Sequence, residues 1–319
     1  MSVRSPAAVS EAWPDLPLER WKDTLDTLHL WTQIVGKIRL TLSPPLNHCW
    51  SDTLYVTARG LTTSPIPSGN GVFEIEFDFV AHRLEIRTVD GAVDEFALAP
   101  QSVAAFYRRL FSALEKLGIR VAIHKRPNEV ADPIPFDRDE THASYDADYA
   151  NRFWRALVQS DRVFKIFRAG FLGKCSPVHF FWGAPDLAVT RFSGRAAPVH
   201  PGGIPNLPDV VTRDAYSHEV SSCGFWAGSG AVAEPAFYSY AYPAPPGFAE
   251  ARVRPEAAFF SKDFGEFILP YAAVRTAASP DETLLAFLES TYDAAADLGR
   301  WDRKALERPA GKGGPNRAV

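Results

Sequence analysis

"RAGFLGKCSPVHFFWGAPDLAVTRFSG", residues Arg168–Gly194, repeats the order of features in "WTQIVGKIRLTLSPPLNHCWSDTLYVTARG", residues Trp31–Gly60. Each stretch contains the end of a helix, Gly-Lys, a proline, a histidine and a tryptophan, and then Leu-x-Val-Thr before an arginine. The matched pairs are Lys37 with Lys174, His48 with His179, and Trp50 with Trp182. Because chance rarely reproduces such an order, the sequence predicts an internal duplication.

A second pair of segments supports the duplication. "EFALAPQSVAAFYRRLFSALEKLG" (Glu95–Gly118) and "EFILPYAAVRTAASPDETLLAFLESTYDAAADLG" (Glu266–Gly299) each run from a strand through a proline into an amphipathic helix. The predicted organisation is a first α+β repeat over 13–130, a connection over 131–150, a second repeat over 151–303, and a disordered tail over 304–319. Each repeat is expected to be an antiparallel sheet flanked by helices, and the second is expected to carry the candidate site.

The clearest strands lie in "GVFEIEFDFVAHRLEIRTVDGAVDEFALAP", residues Gly71–Pro100. Apolar residues from Phe73 to Phe79 alternate with acids from Glu74 to Asp78, as in a strand with one buried face. An Asp-Gly turn then leads into a further strand, as in a hairpin. Strands that follow one another without intervening helices indicate an α+β fold class. We interpret the acidic row as a solvated sheet face rather than a set of catalytic carboxylates, because burial decides which carboxyl pKa values shift.

Helical spacing of apolar residues predicts helices over 21–35, 101–117 and 147–169. Gly36 is expected to end the first of them. The stretch "IRVAIHKRP", over 119–127, is predicted to be a strand that closes the first half.

Composition narrows the class of protein. The chain has 319 residues, a formal net charge of −4 and 46% hydrophobic residues, which suits a soluble folded protein and argues against binding to nucleic acid. Its three cysteines are far apart, so a disulfide framework is not expected and a reducing cytoplasm is the predicted location. The N-terminal stretch lacks the apolar run of a secretory signal, and no segment has membrane-spanning length. The oligomeric state is not indicated.

Familiar catalytic motifs are missing from the sequence. There is no Walker loop, no His-Glu-x-x-His and no Gly-x-Ser-x-Gly. The stretch "GSGAVA", residues 228–233, fits a dinucleotide fingerprint in form, but a proline and alternating aromatic residues follow it where a helix is required. No cofactor is therefore indicated, and whether a metal binds is left open.

Two groups of polar residues are candidates for binding a ligand. His29, Gln33 and Lys37 recur at helical i, i+4 spacing and could face the sheet, although an exposed polar edge is the structural alternative. The second group lies in the opening stretch: His179, Trp182, Arg191 and Arg195. The two guanidinium groups match the geometry of an anionic ligand, whereas the structural alternative is a strand end packed by arginine.

A third group lies further on, in "DAYSHEVSSCGFW", Asp214–Trp226. His218, if it points inward, could join His179 as a general acid–base pair or as a metal ligand, and Glu219 is adjacent to it. Phe225, with Trp182, would exclude water from the site. Arg195, a Pro-Gly-Gly loop and His218 have no counterpart in the first half, so they are expected to mark the half that carries a site.

Several of these stretches resemble a known bacterial family of unknown function, DUF5996. The resemblance is carried by "LHLWTQIVGKIRL", "LYVTARGLTT", "GKCSPVHFFWGAPDLAVTRFSGR", "YSHEVSSCGFW", "FYSYAYP" and "EFILPY", and it extends from about Trp13 to Trp301. Where members of that family read His-Trp-Trp, this chain has His48-Cys49-Trp50, which makes Cys49 a weak candidate for a nucleophile. The resemblance implies no reaction, cofactor or catalytic residue.

The sequence favours a cytoplasmic enzyme that acts on a small polar or anionic molecule in a cleft of the second repeat. In this hypothesis His179, His218 and Glu219 are catalytic, and the binding residues are Arg191, Arg195, Trp182, Phe225, His29 and Gln33. The alternative is a non-catalytic protein that binds a small molecule in an aromatic pocket. A purely structural protein, with the two histidines far apart, is the third hypothesis.

Overall fold

The computed structural model of this protein describes residues 12–228 and 232–308. Its helices are α1 (Lys22–Leu42), α2 (Val103–Lys116), α3 (Ala147–Ala169), α4 (Asp209–Ala215), α5 (Tyr271–Arg275), α6 (Pro280–Leu298) and α7 (Arg303–Leu306). Its strands are β1 (Tyr55–Val56), β2 (Gly60–Thr62), β3 (Ile66–Ser68), β4 (Gly71–Asp78), β5 (Arg83–Thr88), β6 (Val93–Ala97), β7 (His179–Phe181), β8 (Asp186–Ala196), β9 (His218–Trp226), β10 (Ala236–Tyr242), β11 (Phe259–Ser261) and β12 (Glu266–Pro270). Within these ranges every helix is too short or too polar to cross a membrane.

The strands form two antiparallel sheets, one in each half of the chain. In the first sheet the order is β1-β2-β4-β5-β6, and β3 pairs with the start of β4. In the second sheet the order is β11-β12-β10-β9-β8-β7. The protein is therefore an α+β structure of two similar lobes, as the repeated sequence features predict.

Each sheet buries one face against helices, and aromatic side chains fill the contact. Trp31 of α1 stacks on Phe106 of α2 beside the first sheet, with ring centroids 4.7 Å apart. Phe164 of α3 meets Phe237 of the second sheet edge-on, at 6.3 Å. Helices α3 and α6 both pack on this second sheet. The opposite face of this sheet is not covered by α3 or α6.

The corresponding outer face of the first sheet carries ion pairs. The pairs are Arg59 with Asp78, Arg87 with Glu76, and Arg83 with Glu85. These acids were expected to be solvated, but they are buried, because the long arginine side chains lie over them. Each buried carboxylate on this face thus has an arginine partner.

The two sheets meet edge to edge at one antiparallel bridge. The N–H of Leu54 donates to the carbonyl oxygen of Phe180 at 2.9 Å, and the N–H of Phe180 donates to the carbonyl oxygen of Leu54 at 2.8 Å. Close to this bridge, Lys37 lies 6.0 Å from the Trp182 ring, while Lys174 lies 5.6 Å from the Trp50 ring. The repeated lysine of each half therefore meets the repeated tryptophan of the other half.

Three local predictions from the sequence are wrong. Helix α1 continues through Gly36 to Leu42, because the glycine has ordinary helical geometry there and serves a packing role instead. Residues 119–127 contain no strand, since this segment runs as a connector along α1. Residues 304–308 are ordered, because α7 includes part of them and Glu307 pairs with Phe171. The rest of the predicted tail, residues 309–319, lies outside the described residues.

We expect Gly36→Ala to destabilise the protein. A Cβ at this position would lie 2.2 Å from Cδ1 of Trp182, whose indole N–H donates to the carbonyl oxygen of Asp52 at 2.8 Å. Overpacking should lower the free energy of unfolding by about 1–3 kcal/mol, although alanine is the better helix former by about 0.5–1 kcal/mol. Chemical denaturation measures the difference.

Gly170→Ala is the matched control, because Gly170 has φ −71° and its added Cβ would meet nothing closer than 3.4 Å. The control should change stability by less than about 1 kcal/mol. Equal stability of the two variants would contradict close packing of Trp182 on α1.

Candidate functional site

The free face of the second sheet forms the floor of a cavity of about 680 Å³, which we call the second-sheet cavity. Because successive side chains on a strand point to opposite faces, alternate residues of β8, β9 and β10 line the floor. They are Asp186, Ala188, Thr190 and Phe192 from β8, Val220, Ser222 and Trp226 from β9, and Tyr238 and Tyr240 from β10. The intervening residues, such as Leu187 and Phe225, are buried against the helices.

One hydrogen bond crosses the floor from β10 to β8. Tyr238 pairs with Gly224 on the intervening strand β9, and a Cβ on Gly224 would lie 2.4 Å from the Tyr238 ring. The tyrosine ring therefore lies flat across the glycine. Its hydroxyl reaches β8 and donates to Oδ2 of Asp186.

Two further polar pairs lie on or above the same floor. The hydroxyls of Thr190 and Ser222 are 2.8 Å apart on neighbouring strands. The hydroxyl of Tyr216 donates to that of Tyr240 at 3.1 Å. Glu266, on β12, adds a carboxyl group next to β10. The floor thus combines aromatic surface with a few converging hydroxyl and carboxyl groups, which is the usual composition of a small-molecule site.

The roof over this floor comes from α4 and from the turn at residues 47–50. His48 has φ 60°, and its backbone N–H donates to the Asp214 carboxylate at 2.6 Å. Its Nδ1 lies 3.0 Å from the Asp214 carbonyl oxygen, and its Nε2 lies 2.6 Å from the Lys174 ammonium. Nδ1 therefore donates and Nε2 accepts, so the imidazole is neutral. Burial and the charge of Lys174 lower the pKa of His48 accordingly.

The Pro- and Gly-rich loop of the second half also covers the cavity. Ile204 and Leu207 line it, and Asn206 ties the loop to the connector, since its side chain donates to the Val130 carbonyl oxygen at 2.8 Å. The N–H of Gly203 donates to the carboxylate of Asp209, at the start of α4, at 2.9 Å. These contacts hold the loop at the cavity mouth.

The first lobe supplies one wall, through the polar face of α1. Gln33 accepts from the N–H of Asn128 at 2.8 Å and donates to its carbonyl oxygen at 2.8 Å. Lys37 donates to the carbonyl oxygen of Arg126 at 2.8 Å, and burial lowers the pKa of Lys37 to about 8. This face is buried, not an exposed polar edge, and it fixes the connector that brings Glu129 to the cavity.

His29 lies on the same face of α1 and lines the cavity. Its Nε2 lies 2.8 Å from the carbonyl oxygen of Gly183 and 2.9 Å from Nε2 of Gln33. Burial lowers the pKa of His29, which keeps the ring neutral at pH 7.

Two carboxyl groups of the cavity have strongly raised pKa values. Burial raises the pKa of Asp186 to about 7, against a smaller opposing effect of the Tyr238 hydrogen bond. Burial also raises the pKa of Glu266 to about 7. Each group is therefore close to half protonated at neutral pH, so either could accept or donate a proton there.

The structure does not bring His179 and His218 together. His179 pairs with Ala188, whereas His218 pairs with Ala196 at the far end of β8, roughly 20–25 Å along the strand. His179 is fully buried, and neither ring nitrogen has a hydrogen-bond partner among the described residues. Neither histidine lines the second-sheet cavity.

Arg191, Arg195 and Glu219 also lie outside the cavity. Arg191 points to the helical side of the sheet, where its guanidinium lies 3.5 Å from the Phe167 ring centroid and 4.2 Å from that of Tyr292. Arg195 pairs with Glu219 at 2.6 Å and donates to the Gly299 carbonyl oxygen, just beyond α6, at 2.6 Å. The structure therefore uses both arginines for packing and capping, and they do not form the expected anion clamp.

The expected water-excluding residues have structural contacts as well. Phe225 is fully buried on the helical side, 5.3 Å from Phe237. Trp182 packs on α1 beside Lys37. Of the expected site residues, His29 lines the cavity and Gln33 supports its wall.

In the described parts of the chain, neither a reactive cysteine nor a cluster of metal-ligating side chains is found. Cys49, Cys175 and Cys223 are free thiols. Burial raises the pKa of Cys49 to about 12 and that of Cys175 to about 11, so neither forms a thiolate at neutral pH. No cluster of three or more His, Cys, Asp or Glu side chains suited to a metal ion is found in residues 12–228 and 232–308.

Sequence reasoning missed Asp186, Tyr216, Tyr238, Tyr240 and Glu266. The signal was present in "AFYSYAY", Ala236–Tyr242, where tyrosines alternate with buried residues. A strand with this pattern places hydroxyl-bearing rings on one face. Only the sheet order shows that this strand is central, so that its tyrosines lie beside β9 and β12.

The chain belongs to DUF5996, a family of unknown function, whose model matches residues 13–308. The resemblance in the sequence is thereby confirmed. No curated protein and no solved structure matches the chain. The function must therefore be inferred from the cavity itself.

Asp186→Asn should change how stability depends on pH. In the folded protein the pKa is about 7, whereas the unfolded value is about 3.9, so the folded state holds a proton between these values that the unfolded state has lost. The wild type should lose stability as pH rises through this window. The groups that face Asp186 are Tyr238, Glu266 and Glu129.

We expect the stability of Asp186→Asn relative to wild type to increase by about 2–3 kcal/mol between pH 5 and pH 8. Urea denaturation at the two pH values measures this change. The control is Glu282→Gln, which removes an exposed carboxylate at the start of α6 and should show no such trend. A constant difference between Asp186→Asn and wild type would contradict a buried, protonated Asp186.

Proposed function

We propose that this protein binds a small organic molecule in the second-sheet cavity. The observation that carries the proposal is the cavity itself, at about 680 Å³ with a floor of aromatic rings and a few converging hydroxyl and carboxyl groups. Binding sites for metabolite-sized molecules have this size and composition. The floor of the cavity belongs to the second repeat, and part of its wall and roof comes from the first.

The construction of the walls supports a binding role. The walls and roof come from distant segments: α1, the connector at Glu129, the turn at 47–50, and α4. Buried polar contacts such as Gln33 with Asn128 hold the connector in place. A site whose walls are held in position loses little entropy when a ligand binds.

Acid–base catalysis is the second candidate function, and the pKa values of Asp186 and Glu266 favour it. Both are raised to about 7, close to the value at which a group transfers protons most effectively at neutral pH. In this proposal the two carboxyls take the roles that the sequence assigned to His179 and His218. A ligand recovered unchanged after incubation supports binding alone, whereas conversion that Asp186→Asn abolishes supports catalysis.

We further propose a cytoplasmic location and no nucleic-acid partner. Three free cysteines are compatible with a reducing compartment, and the net charge of −4 gives no overall attraction to phosphate backbones.

Filling the cavity should abolish binding. Ala188 lines the floor, and Ala188→Phe would place a ring in the space above β8. A thermal-shift screen of a metabolite library should find compounds that stabilise the wild type by several degrees but not this variant. The control is Ala196→Phe, at the exposed end of the same strand, which should keep the response. Compounds that stabilise both variants equally, or a library that never stabilises the wild type, would refute the proposed site.

A further inference from the structure

We infer that the ligand of the second-sheet cavity is an organic cation, with an amine group attached to an apolar body. This inference rests on the proposed function and specifies its ligand. It follows from the charges that line the cavity, from the rings beside them, and from the contrast with the first sheet.

The charged residues of the lining are all acidic. They are Asp26, Glu129, Asp186 and Glu266, and among the described residues no lysine or arginine lines the cavity. Asp26 pairs with Lys22. The other three carboxyls have no lysine, arginine or histidine within 4.0 Å in the described parts of the chain. The cavity therefore lacks the positive charge that an anionic ligand requires.

The outer face of the first sheet shows how this protein treats buried acids elsewhere. Asp78, Glu76 and Glu85 are buried there, and each is paired with an arginine. On the equivalent face of the second sheet, Asp186 is 9% exposed and has no such partner. Because an ionised carboxylate in a buried site is normally paired with a cation, a cationic ligand is the partner that would allow Asp186 to ionise.

The rings of the floor provide a second attraction for a cation. Tyr238 and Tyr240 stack at 6.1 Å, and Tyr216 and Trp226 lie beside them in the cavity. A cation over an aromatic face is held by the ring quadrupole. Lys174 already lies over Trp50 and Phe192 behind His48, so the rings left for a ligand are those near Asp186 and Glu266.

An unpaired hydroxyl also points to a ligand. Thr212 of α4 lines the cavity and is 2% exposed, yet its Oγ1 has no hydrogen-bond partner among the described residues. A buried hydroxyl without a partner is unfavourable, and an ammonium N–H is a donor that it could accept.

Cation binding should release protons. Burial holds the carboxyls of Asp186 and Glu266 partly protonated near pH 7, and a bound ammonium favours their charged forms. The titratable groups that face them are Glu129, Tyr216, Tyr238 and Tyr240, none of which is cationic. Each carboxyl whose pKa falls on binding should release roughly half a proton at pH 7.

A panel of matched compounds tests the inference. Each set shares one carbon skeleton and differs in charge, as in phenethylamine, phenethyl alcohol and phenylacetate, and the sets extend to naphthyl and long-chain alkyl analogues. Calorimetry at pH 7 in two buffers of different ionisation enthalpy measures affinity and proton release together. The variants are Asp186→Asn/Glu266→Gln, and Glu282→Gln as the control on an exposed surface.

We expect the amines to bind the wild type at least about tenfold more tightly than their alcohols and carboxylates, with release of protons. The double variant should lose this preference and the proton release, whereas the control should keep both. Alcohols or carboxylates that bind as tightly as the amines, or a preference that survives in the double variant, would overturn the cation inference and leave cavity binding standing. No binding by any compound would overturn both.

Discussion

The bridge between Leu54 and Phe180 is the contact on which the site depends. Its two backbone hydrogen bonds, at 2.9 and 2.8 Å, join β7 to the segment that leads into β1 and so set the position of one lobe against the other. With the lobes in this arrangement, α1 crosses beside the second sheet and His29 reaches the carbonyl oxygen of Gly183. The first lobe thereby becomes a wall of the second-sheet cavity.

The cavity exists because small residues occupy the middle of its floor. Ala188 and Gly224 are paired across β8 and β9, and neither fills the space above the sheet. The same glycine lets Tyr238 lie flat and reach Asp186. Ala188 thus leaves depth above the floor, while the absence of a side chain at Gly224 allows both the flat aromatic surface and the contact with the buried carboxyl.

The sequence predicted the architecture better than the site. The alternation of apolar and polar residues in β4 and the repeated order of features depend only on local residue types. They could therefore be recognised in the sequence and predicted the strands and the duplication. The site depends on sheet order and on which face the helices cover. Arg191 and Asp186 illustrate this, because they are five residues apart on one strand, and the pleat sends them to opposite faces. Arg191, which was expected to bind an anionic ligand, thus packs on Phe167. Asp186, which was not expected to be a site residue, lies in the cavity.

The repeated lysines and the unpaired acids of the cavity belong to different parts of the protein. Lys37 meets Trp182 and Lys174 meets Trp50, so the features kept in both halves serve the interface between them. Residues on the outer sheet faces are not bound by that shared requirement. In the first sheet this face acquired arginine partners for its acids, as in the pair of Arg59 with Asp78. In the second sheet Asp186 has tyrosines around it instead, and the space beside it is part of the cavity.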